Sequence, residues 1–258
     1  MNERKIGLVF FSPCGGTKKV MHALVKNVNA PINEHDITLP KGRMGDLTFS
    51  GDDFVFFGFP VYGGRMPVNI ADLFKVIRGD KTPCALVAVY GNRAFDGALL
   101  DLHKAAASRG FIPISAVAAI AEHALASQLA TGRPDEEDRA KLAEWGTRIL
   151  DFKKNGMRLD TAPGAYPEWV IPQGVSPYPV TDKAKCIKCG TCVEVCPTEA
   201  ISANEPWVTD NAKCIFCGAC AKYCPTNARV MGNEKFHEFG KPHLVEAAIR
   251  KEPELFYS

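Results

Sequence analysis

The sequence predicts an α/β protein with a five-stranded parallel sheet in its N-terminal part and a small cysteine-rich domain in its C-terminal part. Three observations lead to this prediction. From Lys5 to about Lys154, short apolar runs alternate with stretches of helical spacing, as in βαβ units. Five prolines then interrupt the chain between Thr161 and Pro179. Eight of the ten cysteines follow, in two similar runs.

The elements of the N-terminal part follow from this alternation. Five strands are predicted, at Ile6–Phe11, Ile32–Thr38, Phe54–Phe59, Ala85–Tyr90 and Ile112–Ala119. The third and fourth are continuously apolar, which is typical of doubly wound sheets with helices on both faces. Four helices are predicted between and after them, at Lys18–Asn27, Val68–Arg78, Gly97–Arg109 and Asp135–Lys153. Pro134 and the acidic first turn favour the start of the last helix.

The same patterns divide the chain into four segments. We expect an α/β domain at 1–158, a proline-rich linker at 159–179, a cysteine-rich domain at 180–232 and a tail at 233–258. Within the tail, Pro242 to Arg250 is expected to form a short helix that docks on either domain.

Composition and charge exclude several classes of protein. The net charge is only +2, which gives no overall attraction to nucleic acid or to anionic membranes. The apolar runs are too short to cross a bilayer or to form the core of a signal peptide, so a cytoplasmic protein is expected. A disulfide framework is typical of short secreted chains, and metal binding is therefore the better interpretation of the cysteines.

The cysteine runs belong to an internal repeat. Val180 to Cys186 is echoed by Val208 to Cys214, and both copies continue as Cys-x2-Cys-x2-Cys-x3-Cys-Pro. This spacing is typical of [4Fe-4S] binding, in which the fourth cysteine of a paired run ligates the other cluster. It assigns Cys186, Cys189, Cys192 and Cys224 to one cluster, and Cys214, Cys217, Cys220 and Cys196 to the other. Structural zinc is the alternative, although zinc sites rarely use three evenly spaced cysteines.

The repeat resembles the two-cluster bacterial ferredoxins. The resemblance runs from Val180 to Gly232 and matches every ligand position. Gly190 and Gly218 follow the second cysteine of each run, where the absence of a Cβ lets backbone amides approach the cluster sulfurs.

The loop from Ser12 to Thr17 lies between the first predicted strand and helix, where backbone N–H groups can bind a phosphate. It has neither the P-loop spacing nor the dinucleotide glycine pattern. It resembles the flavodoxin phosphate loop at Ser12, Gly15 and Thr17. Cys14 departs from that pattern, because a thiol is a poor donor where a hydroxyl is usual. A reactive thiol is the alternative role for Cys14.

Two further loops follow the third and fourth predicted strands, at the edge where open parallel sheets bind ligands. With them, the whole chain resembles flavodoxin domains fused to ferredoxins, and this resemblance implies bound FMN. In it, Tyr62, Tyr90 or Phe95 would stack on the flavin ring, and a cofactor-free sheet is the alternative. The candidate FMN residues are Ser12, Pro13, Cys14, Gly15, Gly16, Thr17, Pro60, Val61, Tyr62, Gly63, Gly64, Tyr90, Gly91, Asn92, Arg93, Phe95 and Asp96.

These cofactors predict electron transfer between FMN and a redox partner, such as a ferredoxin or an oxidoreductase, through the two clusters. A second hypothesis is an FMN-dependent reductase of a small acceptor such as a quinone, which would enter near Tyr62, Arg65 and Phe95. A third treats the cysteines as a zinc module and the sheet as a binding scaffold. No catalytic residue is assigned, because the six histidines lack a ligand spacing.

Overall fold

The computed structural model describes residues 5–168, 170 and 172–257. The start of the chain and two positions of the predicted linker lie outside these residues. The strands are β1 (Ile6–Phe10), β2 (Ile32–Asp36), β3 (Leu47–Phe49), β4 (Phe54–Pro60), β5 (Ile77–Gly79), β6 (Thr82–Tyr90), β7 (Phe111–Ile120), β8 (Pro179–Thr181), β9 (Arg229–Met231) and β10 (Glu254–Phe256). The helices are α1 (Gly16–Val25), α2 (Ile70–Leu73), α3 (Ala98–Ala107), α4 (Glu136–Lys154), α5 (Thr191–Glu194), α6 (Ala219–Lys222) and α7 (Glu234–Ala247).

The main sheet has the strand order β10-β7-β6-β4-β1-β2. All its pairings are parallel except that of β10 with β7. Counted over the five predicted strands alone, the order is 2-1-3-4-5, which is that of the flavodoxin-like doubly wound fold. The predicted fold class is therefore confirmed, and β10 adds an antiparallel edge strand.

Continuous apolar strands make a sheet that is buried on both faces. Every residue of β1 is buried, as are the first six residues of β4. One hydrophobic cluster packs α1 and α4 against one face, and a second packs α2 and α3 against the other. The helix α4 begins with a capping box between Asp135 and Asp138, which satisfies orphan N–H groups of its first turn.

The helix predicted at Val68–Arg78 is wrong over most of its length. The chain instead forms the short helix α2, a 3-10 turn at Phe74–Val76 and the strand β5, which pairs with β3. Leu73, Phe74 and Ile77 are all buried. The apolar spacing therefore marks buried positions in a segment that changes direction, and it does not mark one face of a continuous helix. The β-branched pair Val76 and Ile77 favours the extended backbone at its end.

The cysteine-rich segment, here called the C-terminal unit, has a small two-stranded sheet and a small buried cluster around Ile201, Cys220 and Met231. Strands β8 and β9 pair antiparallel, and Ile201 forms an isolated bridge with Thr209 between the two copies of the repeat. The preceding predicted linker packs on the α/β domain, because Leu159 and Ala162 are buried in the main core. The tail forms the helix α7, which starts earlier than expected, and then the strand β10.

Within the described part of the chain, none of the helices combines the length and the apolar composition that crossing a bilayer would require.

Candidate functional site

The eight predicted ligands surround two cavities in the C-terminal unit. One is lined by four cysteines that we call cradle A: Cys186, Cys189, Cys192 and Cys224. The other is lined by four cysteines that we call cradle B: Cys196, Cys214, Cys217 and Cys220. Each cradle thus brings together three cysteines of one run and the fourth cysteine of the other run.

The lining of these cavities fits an iron–sulfur cube. Each is lined by three cysteines of one evenly spaced row and by a fourth from the other row, whereas zinc sites rarely use three cysteines in such a row. The remaining walls of cradle B include the buried side chains of Ile201 and Met231, whereas those of cradle A include the exposed Ile187 and several polar residues. The buried walls of cradle B exclude water, which is one of the protein's means of setting a cluster potential.

Both copies build their cradle in the same way. Gly190 and Gly218 have φ values of 82° and 80°, a left-handed conformation that glycine adopts without strain. Each glycine starts a short helix that carries the third cysteine. Beyond the helix of the first copy, the sulfur of Cys196 accepts a hydrogen bond from the Ala200 N–H at 3.2 Å. Hydrogen bonds of this kind stabilise negative charge on sulfur.

Arg229 places a buried guanidinium beside both cradles. Its side chain is only 3% exposed and lines the cavity of cradle A. It donates to Thr181 Oγ1 at 3.1 Å and to the Pro206 carbonyl at 2.5 Å, whereas its Nε has no partner among the described residues. Burial raises the pKa values of Cys192 in cradle A and Cys220 in cradle B, and Arg229 opposes both shifts.

Sequence reasoning missed Arg229, although a signal for it exists. When the two copies are aligned on their cysteines, Arg229 stands where the first copy has Ile201. An ionisable residue at an apolar position of a repeat is worth attention, because burying a charge is costly unless other groups compensate it.

Cradle B packs against the α/β domain. The Cys14 thiol donates to the Cys217 carbonyl at 3.1 Å. Ile215, Cys217 and Ala219 belong to the same buried cluster as one face of the main sheet, with Tyr62 packed against it. A Cβ placed on Gly218 would lie 2.7 Å from Leu125 Cδ2, so this contact is very close. Cradle B therefore meets the loops that follow β1, β4 and β7.

Cradle A lies on the opposite, open side of the repeat. Cys189 is exposed, whereas its counterpart Cys217 is buried. Ile187 is 63% exposed, whereas its counterpart Ile215 is 5% exposed. The two cradles thus have the same construction and different surroundings.

The predicted phosphate loop has the geometry of an anion site. Helix α1 begins after Gly15, which has a φ of 80°, with no side-chain cap and no acidic residue in its first turn. Ser12 Oγ accepts from the Lys18 N–H at 2.9 Å and fixes the loop. Among the described residues, Ser12 Oγ occupies only the Lys18 N–H, so the N–H groups of Gly16 and Thr17 and the positive end of the helix dipole are left for a negatively charged ligand. The Cys14 thiol points instead toward Cys217, and burial raises its pKa to about 12.

The other two predicted FMN loops lie at the same edge of the sheet. Gly63 and Gly64 both have positive φ values, as does Asn92. Burial raises the pKa of Tyr62 well above its ordinary value. Tyr90 and Phe95 form an edge-on ring pair with centroids 6.1 Å apart. The remaining candidates, Pro13, Gly16, Thr17, Pro60, Val61, Gly91, Arg93 and Asp96, lie in or beside these three loops, and Arg93 pairs with Asp96.

The side chain of Asn92 has a role that the sequence did not reveal. Its Nδ2 donates to the Ala247 and Ile249 carbonyls, both at 2.7 Å, and its Oδ1 accepts from the Lys251 N–H at 3.0 Å. The segment from Ala247 to Lys251, here called the strap, is thus fastened to the loop after β6. The ring of Phe256 in β10 also lies 6.0 Å from that of Phe95.

Comparison with known proteins gives a family for the C-terminal unit. Residues 185–228 match the family model of the 4Fe-4S dicluster domain. No curated protein matches the chain at a significant level.

Among solved structures, three are similar to the chain over the α/β domain. A flavodoxin from the domain Archaea is 13% identical with a TM-score of 0.40, over 58% of this chain and 99% of that one. A Streptococcus pneumoniae TIGR4 flavodoxin is 13% identical with a TM-score of 0.40, over 57% and 98%. An NADH:FMN oxidoreductase in its apo form is 15% identical with a TM-score of 0.41, over 62% and 92%.

All eight cysteines of cradles A and B lie inside the matched segment. Residues 185–228 are therefore a 4Fe-4S dicluster domain that holds two clusters.

Proposed function

We propose that the chain is an electron-transfer protein that relays electrons between FMN and an external redox partner through its two [4Fe-4S] clusters. The observation that carries this proposal is the contact between cradle B and the loops at the carboxyl edge of the sheet. When bound, a cluster exchanges one electron at a time, whereas a flavin exchanges one or two. The two clusters together can therefore hold as many electrons as one fully reduced flavin gives up.

The cysteines of each cradle are the ligands of one cluster in this proposal. The structure supports it because three cysteines of one copy and the fourth of the other line a common cavity. The exchange of fourth ligands ties the two copies together and keeps both clusters within one small unit. Cradle B is then nearer to the flavin site, and cradle A is nearer to solvent.

The chain's own residues suit FMN in three ways. The N–H groups of Gly16 and Thr17, at the uncapped start of α1, are placed to bind its phosphate. The backbone at Gly63, Gly64 and Asn92 is placed to bond to the edge of its ring. Glycine tolerates either sign of φ, so the peptide between Gly63 and Gly64 can turn either its N–H or its C=O toward the ring.

No contact in the described structure favours the reductase hypothesis over the relay. Of the three residues predicted around its substrate, Tyr62 packs against the buried cluster that includes Cys217. Arg65 is held by Asp101 at 2.7 Å, and Phe95 packs against Phe256. We also propose a cytoplasmic location, because a reducing compartment keeps the ligand cysteines available as thiolates.

Anaerobic analysis of the purified protein for iron, acid-labile sulfide, zinc and flavin tests the proposal. We expect about eight irons and eight sulfides per chain, from two four-iron clusters, with one FMN. Zinc without sulfide would overturn the cluster assignment, and iron without flavin would overturn the FMN relay.

The crossed ligand sets are tested by Cys196→Ala and Cys224→Ala. Cys196→Ala is expected to perturb mainly the cluster of cradle B, and Cys224→Ala mainly that of cradle A. Electron paramagnetic resonance of the reduced variants distinguishes the two clusters, and Cys84→Ala serves as the control because Cys84 is buried in the sheet. If Cys196→Ala spares cradle B and perturbs cradle A, the assignment is wrong.

A further inference from the structure

We propose that an external redox protein docks on the open side of cradle A, and that this partner carries acidic side chains around an apolar centre. The docking surface, here called the outer face, consists of Lys183, Lys185, Ile187, Lys188 and Cys189. This inference rests on the proposed function and names the kind of partner that the relay uses.

The internal repeat supplies the first argument. The corresponding residues of the second copy, Ile215 and Cys217, are buried against the α/β domain of the same chain. That face of the repeat therefore already serves as a contact between a cluster and another redox site. The first copy presents the same backbone face to solvent, with Ile187 63% exposed. An external redox protein can occupy it in the way that the α/β domain occupies its counterpart.

Charge supplies the second argument. Lys183, Lys185 and Lys188 are all exposed, and Lys185 pairs with Asp182 at 3.3 Å. The second copy has Asn211 and Phe216 in place of Lys183 and Lys188, so these two charges belong to the first copy alone. A basic rim around an apolar residue favours a partner with the opposite charge, and it disfavours a second copy of the same face.

Trp207 holds two of these lysines in place. The ammonium groups of Lys183 and Lys188 each lie 5.1 Å from the centre of its ring. Cation–π contacts restrict both side chains near the exposed edge of cradle A. The positive charge is therefore localised at the point where a sulfur ligand, Cys189, reaches the surface.

The electron balance of the encounter is simple. A reduced donor loses one electron, and the cluster of cradle A gains it. No proton or bond is exchanged between the two proteins. Short separation and correct orientation are all that the outer face has to provide, which suits a small and transient contact.

The test uses the holoprotein with both clusters assembled anaerobically. Stopped-flow absorbance measures the second-order rate constant for its reduction by a reduced acidic two-[4Fe-4S] ferredoxin, at low and at high ionic strength. The variant Lys183→Glu/Lys185→Glu/Lys188→Glu reverses the charge of the outer face. The matched control is Lys213→Glu/Lys235→Glu/Lys241→Glu, which makes the same charge change at exposed positions on the second copy and on α7.

We expect the wild-type rate constant to fall as salt increases, and the outer-face variant to be slower by about tenfold or more at low salt. At each ionic strength the control variant should be slowed less than the outer-face variant, and at about 0.15 M salt it should stay within about threefold of the wild type, because the Debye length is then only about 8 Å. With a basic c-type cytochrome as the acceptor from the reduced holoprotein, the same variant should instead be faster.

Reduction by methyl viologen separates this inference from the proposed function. If the viologen reduces the clusters of wild type and outer-face variant alike, but the ferredoxin rate is the same for both, the docking site is wrong and the relay stands. If the anaerobically purified wild type contains no iron and sulfide for the viologen to reduce, both fail. A change in self-association of the variant, without a change in the ferredoxin rate, would assign the face to a second copy and overturn the proposal.

Discussion

Arg229 is the residue outside the ligand cysteines whose charge is expected to act on both clusters. Arg229 is buried and lines cradle A, and it also interacts with Cys220 of cradle B. Its side chain donates to Thr181, Pro206 and Thr209, and none of these acceptors is a carboxylate. Each four-thiolate cluster site is strongly negative, and reduction adds one more negative charge. A buried cation beside it therefore favours the reduced state.

Replacing Arg229 by methionine should make the midpoint potential of both clusters more negative. We expect a shift of about 60 mV or more, which for a one-electron couple is a tenfold change in the reduction equilibrium. A redox titration followed by electron paramagnetic resonance measures it. Arg229→Lys keeps the charge and should stay closer to the wild type. Unchanged potentials in a methionine variant that retains both clusters would limit Arg229 to a structural role.

Cys14 should be unreactive as a thiol. Burial raises its pKa from 9.0 to about 12, so the nucleophilic thiolate form appears only at very alkaline pH. At pH 8 this makes the thiolate roughly a thousandfold scarcer than for an ordinary cysteine, and alkylation by iodoacetamide should slow to a similar degree. Mass spectrometry of the holoprotein measures the rate, with the denatured chain as the control. Rapid labelling of Cys14 in the native state would restore the reactive-thiol alternative.

The strap and β10 are the elements through which the chain returns to the α/β domain. Asn92 fastens the strap with three hydrogen bonds, and Arg250 pairs with Asp135 at 2.7 Å. The Asp135 pKa falls to about 2, chiefly because of its hydrogen bond to Arg250. The strap thereby joins the start of α4 to a loop that we assign to the flavin site.

Asn92→Gly removes these hydrogen bonds while keeping a residue that accepts the positive φ of this position. We expect it to lower the free energy of unfolding by about 2 kcal/mol, because the buried carbonyl of Ala247 and the partly buried carbonyl of Ile249 lose their donor. Hydrogen exchange at 248–257 should rise in the same variant. Asn204→Gly, at an exposed position of the dicluster domain, is the control. Equal protection of the strap in both variants would contradict this role for Asn92.

Across the whole molecule, the sequence predicted what depends on local pattern. The five parallel strands follow from continuous apolar runs, and the grouping of cysteines into cradles A and B follows from their spacing. Contacts that join distant parts of the chain could not be read in this way. The contacts of Leu125 with Gly218 and of Asn92 with the strap depend on the folded chain, and no local pattern marks them. Arg229 is marked only when the two copies are aligned, and its position beside both cradles depends on the folded chain. The helix prediction for Val68–Arg78 failed because a buried segment that is not helical can have the same spacing of apolar residues as a helix.

The pairing of β10 with β7 has a consequence for how the protein is made. β7 leaves the ribosome before the cysteine motifs, and β10 leaves it after them, so the edge of the sheet is completed only once the dicluster domain has been synthesised. The dicluster domain is therefore an insertion in the α/β domain, and the chain connects it to that domain at both its N-terminal and its C-terminal end. Two covalent anchors restrict its rotation far more than one would, so cradle B is expected to stay beside the flavin loops throughout turnover.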